Sequence, residues 1–485
     1  MRVLPLFTSA GTACSSTFFG ILRYLCVWML VFLVFLQTAV PADASLFGSF
    51  GIRDELEMGR KFDILVRSRM PLVEDPEVKR YVQSVVDRLA DVIPPQPFTF
   101  RANVLLHNSL NAFAVPGGSV FVHTGLIMQL AHESELAGVL GHELAHVTQR
   151  HIATRIERAQ KVSVGSLLGA LGGLFLGGAG TAAVLAGSMA AGQSAMLNYS
   201  RVDETEADQM GFLYVVKAGY RPQGMQGAFE KIRRRQWISG GSVPEYLSTH
   251  PDVSGRITEV AARVKAQPAS VRNRKEDDVR FNRVRTLIWA RYGEPEAATK
   301  LFAGYLKKNP KNSLAIMGQA LLAERRSNMR EAENLFARAL ALAPADSLIV
   351  RETGRFYYSN GDNRAEGMLK QALRLAPDDL MAQFYYARLL SETGKRKEAH
   401  RYYESLLKVL PDDAELHYYY GRSLGENREE FRGCLHMAYS AMYQHDSKKM
   451  ESWLKRAQSL KKTKQDEEEL KKFDKIVAER RAVSK

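Results

Sequence analysis

A repeating pattern restricts what the carboxy-terminal half of this 485-residue chain can fold into. Two independent landmarks, a proline and a small alanine, both recur at spacings of 34, 33 and 34 residues. They are Pro310, Pro344, Pro377 and Pro411, and Ala298, Ala332, Ala365 and Ala399. A period of this length holds two short helices. One helix pair cannot bury its apolar face alone, so the pattern predicts stacked pairs that form an all-α solenoid.

The period, the alanine at a close helix contact and the proline at the turn resemble tetratricopeptide repeats over residues 280–460. That resemblance implies a concave face that binds a polypeptide. Tyrosine-rich stretches such as RFYYSNG and LHYYYGRS supply aromatic side chains, most of which we assign to the core between helices and some to a ligand face. The charge-rich tail at 461–485 predicts a solvated carboxy-terminal helix.

The amino terminus has the pattern of a secretory signal at 1–44. A charge-free apolar run follows Arg23, and Ala42 and Ala44 stand at the −3 and −1 positions of a cleavage site. An uncleaved membrane anchor is the alternative, since the run is nearly long enough to span a bilayer. Cleavage would leave Cys434 as the one cysteine, which excludes an internal disulfide and predicts a small buried side chain.

Composition and charge narrow the class of partner. Hydrophobic residues make up 46% of the chain and charged residues 25%, which is typical of globular domains. The formal net charge of +14 would raise the question of nucleic acid in an intracellular protein. In an exported protein an anionic membrane surface is the better match for a basic surface, so no nucleic-acid partner is predicted.

Residues 45–270 have the pattern of an α+β domain. Stretches with strand composition, FTFRANVLLH and SVFVHTGL, flank a VPGG turn, and helical periodicity precedes and follows them. Residues 163–192 carry no charge but are rich in glycine and alanine. We interpret that segment as a flap or as small-residue helices, with a membrane span as the alternative.

The stretch VLGHELAHVTQ contains two histidines one helical turn apart, His142 and His146. Residues at this spacing lie on one face of a helix and can share a metal ion, while Glu143 can take a proton from water. Two histidines leave a catalytic zinc short of protein ligands, so a third donor from a later helix is required.

The acidic stretch SRVDETEADQ holds the candidates for that donor, Glu204, Glu206 and Asp208. Glu204 and Asp208 are four residues apart and share a helix face, which suits one as a ligand and the other as a partner that orients a ligand histidine. Chemistry alone does not separate Glu204 from Glu206. An acidic first helical turn stabilised by the helix dipole is the non-functional alternative.

The HELAH motif, NAFAVPGG at 111–118 and SRVDETEAD at 200–208 together resemble peptidase family M48. The resemblance implies a zincin-type α+β metallopeptidase domain with one Zn²⁺ per chain. It selects Glu204 as the third ligand, beside His142 and His146, with Asp208 as its partner and Glu143 as the catalytic base. Residues 111–118 become the edge strand that would bind substrate.

Exported family members with carboxy-terminal repeats have a further histidine and arginine, matched here by His250 and Arg256. The resemblance implies that His250 is a regulatory fourth ligand and that Arg256 steadies the oxyanion. His107, His123, His132 and His151 are interpreted as structural or surface groups.

The same resemblance implies a periplasmic endopeptidase that hydrolyses misassembled outer-membrane proteins, either free in the periplasm or peripheral to the outer membrane. Its repeats would dock onto the outer-membrane assembly machinery. A chaperone or scaffold whose repeats carry the function, with a latent or silent protease, is the competing hypothesis.

Overall fold

The computed structural model describes residues 51–158, 199–238, 246, 250 and 253–484. The predicted signal at 1–44 and the glycine- and alanine-rich segment at 163–192 lie outside these residues. Among the helices in the described ranges, none combines the length and the apolar character that crossing a bilayer requires.

The amino-terminal domain is built around a three-stranded sheet in the order β1–β3–β2. Its strands span Arg101–Leu105 (β1), Ala112–Ala114 (β2) and Ser119–His123 (β3). β1 runs parallel to β3, and β2 runs antiparallel to it. On one face of the sheet Phe113 and Phe121 stack with ring centroids 5.0 Å apart and pack against Phe62 of the first helix. The other face covers the larger core of the domain.

Helices cover both faces of this sheet, as expected for an α+β domain. They are α1 Ile52–Arg69, α2 Pro76–Ala90, α3 Thr124–Gln129, α4 Glu133–Thr148, α5 His151–Arg158, α6 Arg201–Lys217, α7 Gln223–Ile238, α8 Val253–Ala266 and α9 Ala269–Arg272. α4 is buried along most of its length, so its ionisable side chains His142, Glu143 and His146 are also removed from water. α6 crosses α4 with backbones in contact at Gly141 and Gly211, where neither residue has a Cβ to keep the helices apart.

The strand β2 lies at the edge of the sheet. The backbone N–H of His123 donates to the carbonyl of Asn111 at 3.0 Å, and that of Val115 donates to the carbonyl of Ser119 at 2.9 Å. Hydrogen-bonded and non-hydrogen-bonded pairs alternate in an antiparallel ladder. Ala112 and Ala114 therefore direct their backbone groups away from β3, toward the free edge, where an extended peptide could pair with them.

The carboxy-terminal part is a series of helix pairs with the predicted period. The helices are α10 Val279–Tyr292, α11 Pro295–Lys308, α12 Ser313–Arg325, α13 Met329–Leu342, α14 Ser347–Ser359, α15 Arg364–Leu375, α16 Leu380–Glu392, α17 Arg396–Val409, α18 Ala414–Glu426, α19 Glu430–Tyr443, α20 Ser447–Leu460 and α21 Lys464–Ser484. The last helix is not solvated all round, because it buries Leu470, Phe473 and Val477.

The two sequence landmarks have separate structural roles in the repeats. Each landmark alanine lies in the second helix of a pair and is fully buried. Each landmark proline lies in the turn before the next pair, and the residue two positions later accepts a hydrogen bond from a backbone N–H in the first turn of the following helix. These N-caps are Asn312, Asp346, Asp379 and Asp413. A turn residue and a cap thus recur together at every repeat boundary.

The first helices of the repeats contact the amino-terminal domain. Arg291 on α10 pairs with Asp75, the N-cap of α2, and Arg351 on α14 pairs with Glu77 at 2.5 Å. Glu352 lies between these arginines, 2.7 Å from Arg291 and 2.8 Å from Arg351. The start of α2 therefore lies against α10 and α14 and covers part of their surface.

Candidate metal centre

Two buried histidines on α4 begin the site. The Nε2 atoms of His142 and His146 lie 3.0 Å apart, and the side chains are inaccessible to solvent. Burial lowers the pKa of His142 to about 4, with the positive charge of Arg256 acting in the same direction. Burial also lowers the pKa of His146 well below its ordinary value. Both rings are therefore neutral near pH 7, which is the form that ligates a metal.

Glu204 reaches the histidines from the first turn of α6. Its Oε1 lies 3.4 Å from Nε2 of His146, and its Oε2 lies 3.6 Å from Nε2 of His142. Burial would raise the pKa of Glu204, but His250 and Arg256 outweigh that effect and hold it well below its usual range. Glu206 points elsewhere and is half-exposed. The structure therefore shows that Glu204, and not Glu206, faces the two histidines, which side-chain chemistry alone could not decide.

His250 supplies a fourth donor to the same cluster. Its Nδ1 lies 2.9 Å from Oε1 of Glu204 and 3.3 Å from Nε2 of His142. Its ring is stacked between Tyr246, at a centroid distance of 4.4 Å, and Tyr199, at 5.1 Å. Because the ring is fully buried and held on both faces, His250 is part of the centre in this conformation.

The four donor atoms have the spacing that a tetrahedral zinc ion requires. Zinc–nitrogen bonds of about 2.0–2.1 Å place neighbouring tetrahedral donors about 3.4 Å apart. The five distances given above, which use both carboxylate oxygens of Glu204, are 2.9–3.6 Å. With one donor atom taken from each residue, the four atoms all lie within 4.8 Å of one another. Three imidazoles and one carboxylate favour zinc over magnesium or calcium, which prefer oxygen donors. The residues fit a metal ion, and zinc in particular.

Asp208 and Arg256 support this cluster from behind. Oδ1 of Asp208 lies 2.9 Å from Nδ1 of His142, which fixes the tautomer that leaves Nε2 free to ligate. The Nε and a terminal nitrogen of Arg256 donate to the two Asp208 oxygens at 2.7 and 2.8 Å. Arg256 also pairs with Glu204 and lies 4.5 Å over the ring of Phe229. Its predicted action on an oxyanion stays a prediction, because its guanidinium is engaged by carboxylates here.

His151, which the sequence analysis interpreted as a structural or surface group, is buried against the candidate ligand His146. Its Nδ1 lies 2.8 Å from Nδ1 of His146, and its Nε2 lies 3.3 Å from Oε2 of Glu206. If His146 ligates through Nε2, its Nδ1–H must donate to His151, whose Nε2–H then donates to Glu206. The sequence feature that could have indicated this contact is the position of His151, five residues after His146 and one short turn beyond the end of α4.

Glu143 lies beside the four donors with its carboxyl in the position of a base. Burial raises the pKa of Glu143 to about 7, and Glu204 adds to that effect against the opposing influence of His250. The backbone N–H of Ala114 is close enough to lower the pKa slightly without reaching hydrogen-bond geometry. Oε1 of Glu143 lies 3.6 Å from Nε2 of His250. A carboxyl that titrates near neutral pH suits proton transfer in both directions.

The comparison with known families covers the part of the chain that holds this donor set. Residues 74–264 match the model described as peptidase family M48, and the match contains every side chain of the centre. This domain belongs to peptidase family M48. Tetratricopeptide repeats match at 290–347 and 363–421. The predicted family and fold class are confirmed, and the chain is a metalloprotease with repeats after its M48 domain.

Curated proteases are similar to this chain over much of its length. The β-barrel assembly-enhancing protease of Escherichia coli K12 is 29% identical over 369 residues, which cover 75% of each chain. The protein of the same name from Yersinia pestis is 30% identical over 311 residues, or 61% of this chain and 62% of that one. The mitochondrial metalloendopeptidase OMA1 of Schizosaccharomyces pombe is 31% identical over 180 residues, or 37% of this chain and 51% of that one. The first two similarities extend well beyond the M48 domain in length.

The M48 domain thus brings all the predicted site residues into one buried cluster. They are His142, Glu143, His146, Glu204, Asp208, His250 and Arg256. Their individual roles stay predictions, and the proposal below assigns them.

Proposed function

We propose that this chain is an exported zinc endopeptidase that hydrolyses misassembled outer-membrane proteins in the periplasm. The observation that carries the proposal is the buried cluster of four donors with Glu143 beside it. Relatives named for β-barrel assembly support the class of client. The repeats provide a surface for docking onto the assembly machinery, and the net charge of +14 suits an anionic membrane surface.

The residues of the centre divide the chemistry between them. His142, His146 and Glu204 would hold the zinc ion. When bound, zinc supplies Lewis-acid chemistry to the scissile carbonyl and to water. Glu143 takes a proton from the attacking water and passes it to the leaving nitrogen as the C–N bond breaks. Asp208 keeps His142 in the ligating tautomer, and Arg256 holds Asp208 and Glu204 in place.

The free edge of β2 would position the substrate. An extended peptide can pair with the outward backbone groups of Ala112 and Ala114 and become a fourth strand. Backbone hydrogen bonds do not depend on side chains, so this contact selects little by sequence. We therefore expect cleavage to depend on whether a client is unfolded and accessible.

His250 would keep the resting enzyme latent. In the described conformation its Nδ1 is the fourth donor of the cluster, and a catalytic zinc needs one position free of protein ligands. Turnover then requires that the His250 ring leave its place between Tyr199 and Tyr246. This feature also supports the second candidate function, a chaperone or scaffold whose protease stays latent.

The experiment that tests the proposal compares zinc content and casein cleavage by the signal-less protein and by its Glu143→Gln and His250→Ala variants. We expect one zinc per chain in all three, loss of cleavage in Glu143→Gln and faster cleavage in His250→Ala. Because Glu143→Gln keeps the shape of the side chain, intact zinc content shows that its loss of activity is chemical.

Other outcomes separate the two candidate functions. Zinc without cleavage in the His250→Ala variant would favour the chaperone or scaffold. A protein that binds no zinc and cleaves nothing would overturn the peptidase assignment of the site altogether.

A further inference from the structure

The ring of Tyr199 lies against the donor cluster, and its buried hydroxyl has no hydrogen-bond partner among the described residues. The residue immediately precedes the N-cap of α6, and its side chain is 4% exposed. Among the described residues no atom makes a hydrogen bond with its hydroxyl. Leaving a buried hydroxyl unpaired costs about 1–3 kcal/mol, so such a group calls for a functional reason.

The ring of Tyr199 is held against two members of the donor cluster. It stacks on His146 with centroids 3.7 Å apart and planes 25° apart, and on His250 at 5.1 Å and 26°. Tyr199 also lines a small cavity together with Ala114, Pro116 and His146. It therefore lies beside both Ala114 of β2 and the candidate ligand His146.

One other group with unsatisfied hydrogen-bonding capacity, the carboxyl of Glu143, belongs to the same centre. Neither carboxyl oxygen of Glu143 has a hydrogen-bond partner among the described residues. Its Oε1 lies 3.6 Å from Nε2 of His250, and the ring of His250 stacks on that of Tyr199. An acceptor for the proton of water and a donor for a carbonyl oxygen are the two groups that peptide hydrolysis needs. The side chains of Glu143 and Tyr199 supply one of each.

The other candidate donor, Arg256, is held by carboxylates. It gives two hydrogen bonds to Asp208, and its Nη1, which has no hydrogen-bond partner among the described residues, lies in an ion pair with Glu204, so the guanidinium stays turned toward these carboxylates. A tyrosine hydroxyl, with an ordinary pKa of about 10, keeps its proton at neutral pH and can act as a donor.

We propose that Tyr199 is a catalytic residue whose hydroxyl donates a hydrogen bond to the scissile carbonyl oxygen as negative charge develops there. As water adds to the carbonyl carbon, the C=O π pair moves onto the oxygen and Tyr199 stabilises it without transferring its proton. Glu143 takes the proton of water and delivers it to the leaving nitrogen. This proposal rests on the proposed peptidase function and adds one residue to it.

Tyr199→Phe tests the hydroxyl alone, because phenylalanine keeps the ring that stacks on His146. In the zinc-loaded, signal-less protein we expect kcat on an unfolded reporter to fall by about 100- to 1,000-fold, as for loss of one oxyanion donor elsewhere. KM should change by less than about twofold and zinc content should stay at one per chain. A phosphinic peptide, which mimics the charged tetrahedral carbon, should bind at least about tenfold more weakly.

Tyr214→Phe is the matched control. Tyr214 lies on the same helix as Glu204, and its hydroxyl is already bonded to Oγ1 of Thr148 at 3.0 Å. We expect unchanged kcat and unchanged phosphinic-peptide affinity for this variant.

The outcomes separate this proposal from the one on which it rests. A protein that neither cleaves the reporter nor binds the phosphinic peptide, even as its His250→Ala variant, counts against the peptidase function, and the role of Tyr199 falls with it. An active wild-type protein whose Tyr199→Phe variant keeps kcat within about twofold overturns the role of Tyr199 alone. Loss of zinc from Tyr199→Phe would also overturn it, because the hydroxyl would then support the ligands rather than the substrate.

Discussion

Gly211 on α6 touches the backbone of Gly141 on α4. A Cβ built on Gly211 would lie 2.8 Å from the carbonyl carbon of Gly141 and 2.8 Å from the backbone nitrogen of His142. Real Cβ atoms do not approach other backbone atoms so closely, so the two helices can cross here only because both residues are glycine. This crossing brings Glu204 and Asp208 of one helix within reach of His142 on the other.

Gly211→Ala should damage the metal centre without adding or removing any polar group. The new methyl group forces α4 and α6 apart, and overpacking of this kind costs about 1–3 kcal/mol. We expect weaker zinc binding in a chelator competition and a lower midpoint of thermal unfolding. Gly367→Ala is the control, because no atom lies within 4 Å of its Cβ position and alanine should stabilise that helix. Equal zinc affinity of Gly211→Ala and the unmodified protein would contradict the argument.

His151→Leu should lower zinc affinity although His151 is not a ligand. The substitution removes the acceptor for the Nδ1–H of His146, and loss of such an outer partner costs about 10- to 100-fold in metal affinity. Competition with a chelator of known affinity measures the change. Glu206→Gln should have a smaller effect, because Glu206 is half-exposed and acts only through His151. If the leucine variant binds zinc as tightly as the unmodified protein, His151 has a packing role alone.

Glu352→Ala should destabilise the contact between the repeats and the M48 domain. Glu352 is 0% exposed and pairs with the buried Arg351 and the partly buried Arg291 and Arg355. Its removal takes the shared carboxylate from arginines that keep only their other partners, and breaking such a buried pair costs up to about 3–5 kcal/mol. Thermal unfolding followed by circular dichroism should show a large drop in the midpoint. Glu333→Ala breaks the exposed pair with Arg364 and should cost less than about 1 kcal/mol. Similar losses for the two variants would refute this interpretation of the buried network.

The cap residue Asp413 should make the stability of the repeats depend on pH. Burial raises the pKa of Asp413 to about 6, with Glu74 adding to the effect against the hydrogen bond from Leu416. A carboxyl whose pKa is higher in the folded than in the unfolded state stabilises the fold when protonated. That contribution is present below the unfolded pKa of about 4 and is lost as pH rises through about 6.

Asp413→Asn tests this sign, since asparagine can still cap α18 and carries no charge. At pH 8 the variant should be more stable than the unmodified protein, by on the order of 1 kcal/mol. Near pH 4 the two proteins should unfold at the same temperature. A variant that is less stable at pH 8 would show that the charged cap contributes more than its burial costs.

The spacing of residues close together in the sequence was enough to predict the repeats and the helix that carries the two histidines. The repeat period follows from Pro310, Pro344 and their successors because turn, cap and close helix contact all lie within one repeat. The helical placement of His142 and His146 follows in the same way from their spacing of four. For this reason the fold class and the first half of the site could be predicted before the structure was known.

The tertiary structure decided which distant groups meet. Glu204 rather than Glu206 faces the histidines because α6 crosses α4 at Gly211, and His151 joins the site because α5 turns back beside His146. Asp75 of α2 covers part of the repeat surface, where Arg291 and Glu352 form the rest of the contact. No sequence pattern marks these contacts. Each joins elements that are far apart in the chain, and packing of the whole core determines how those elements lie relative to each other.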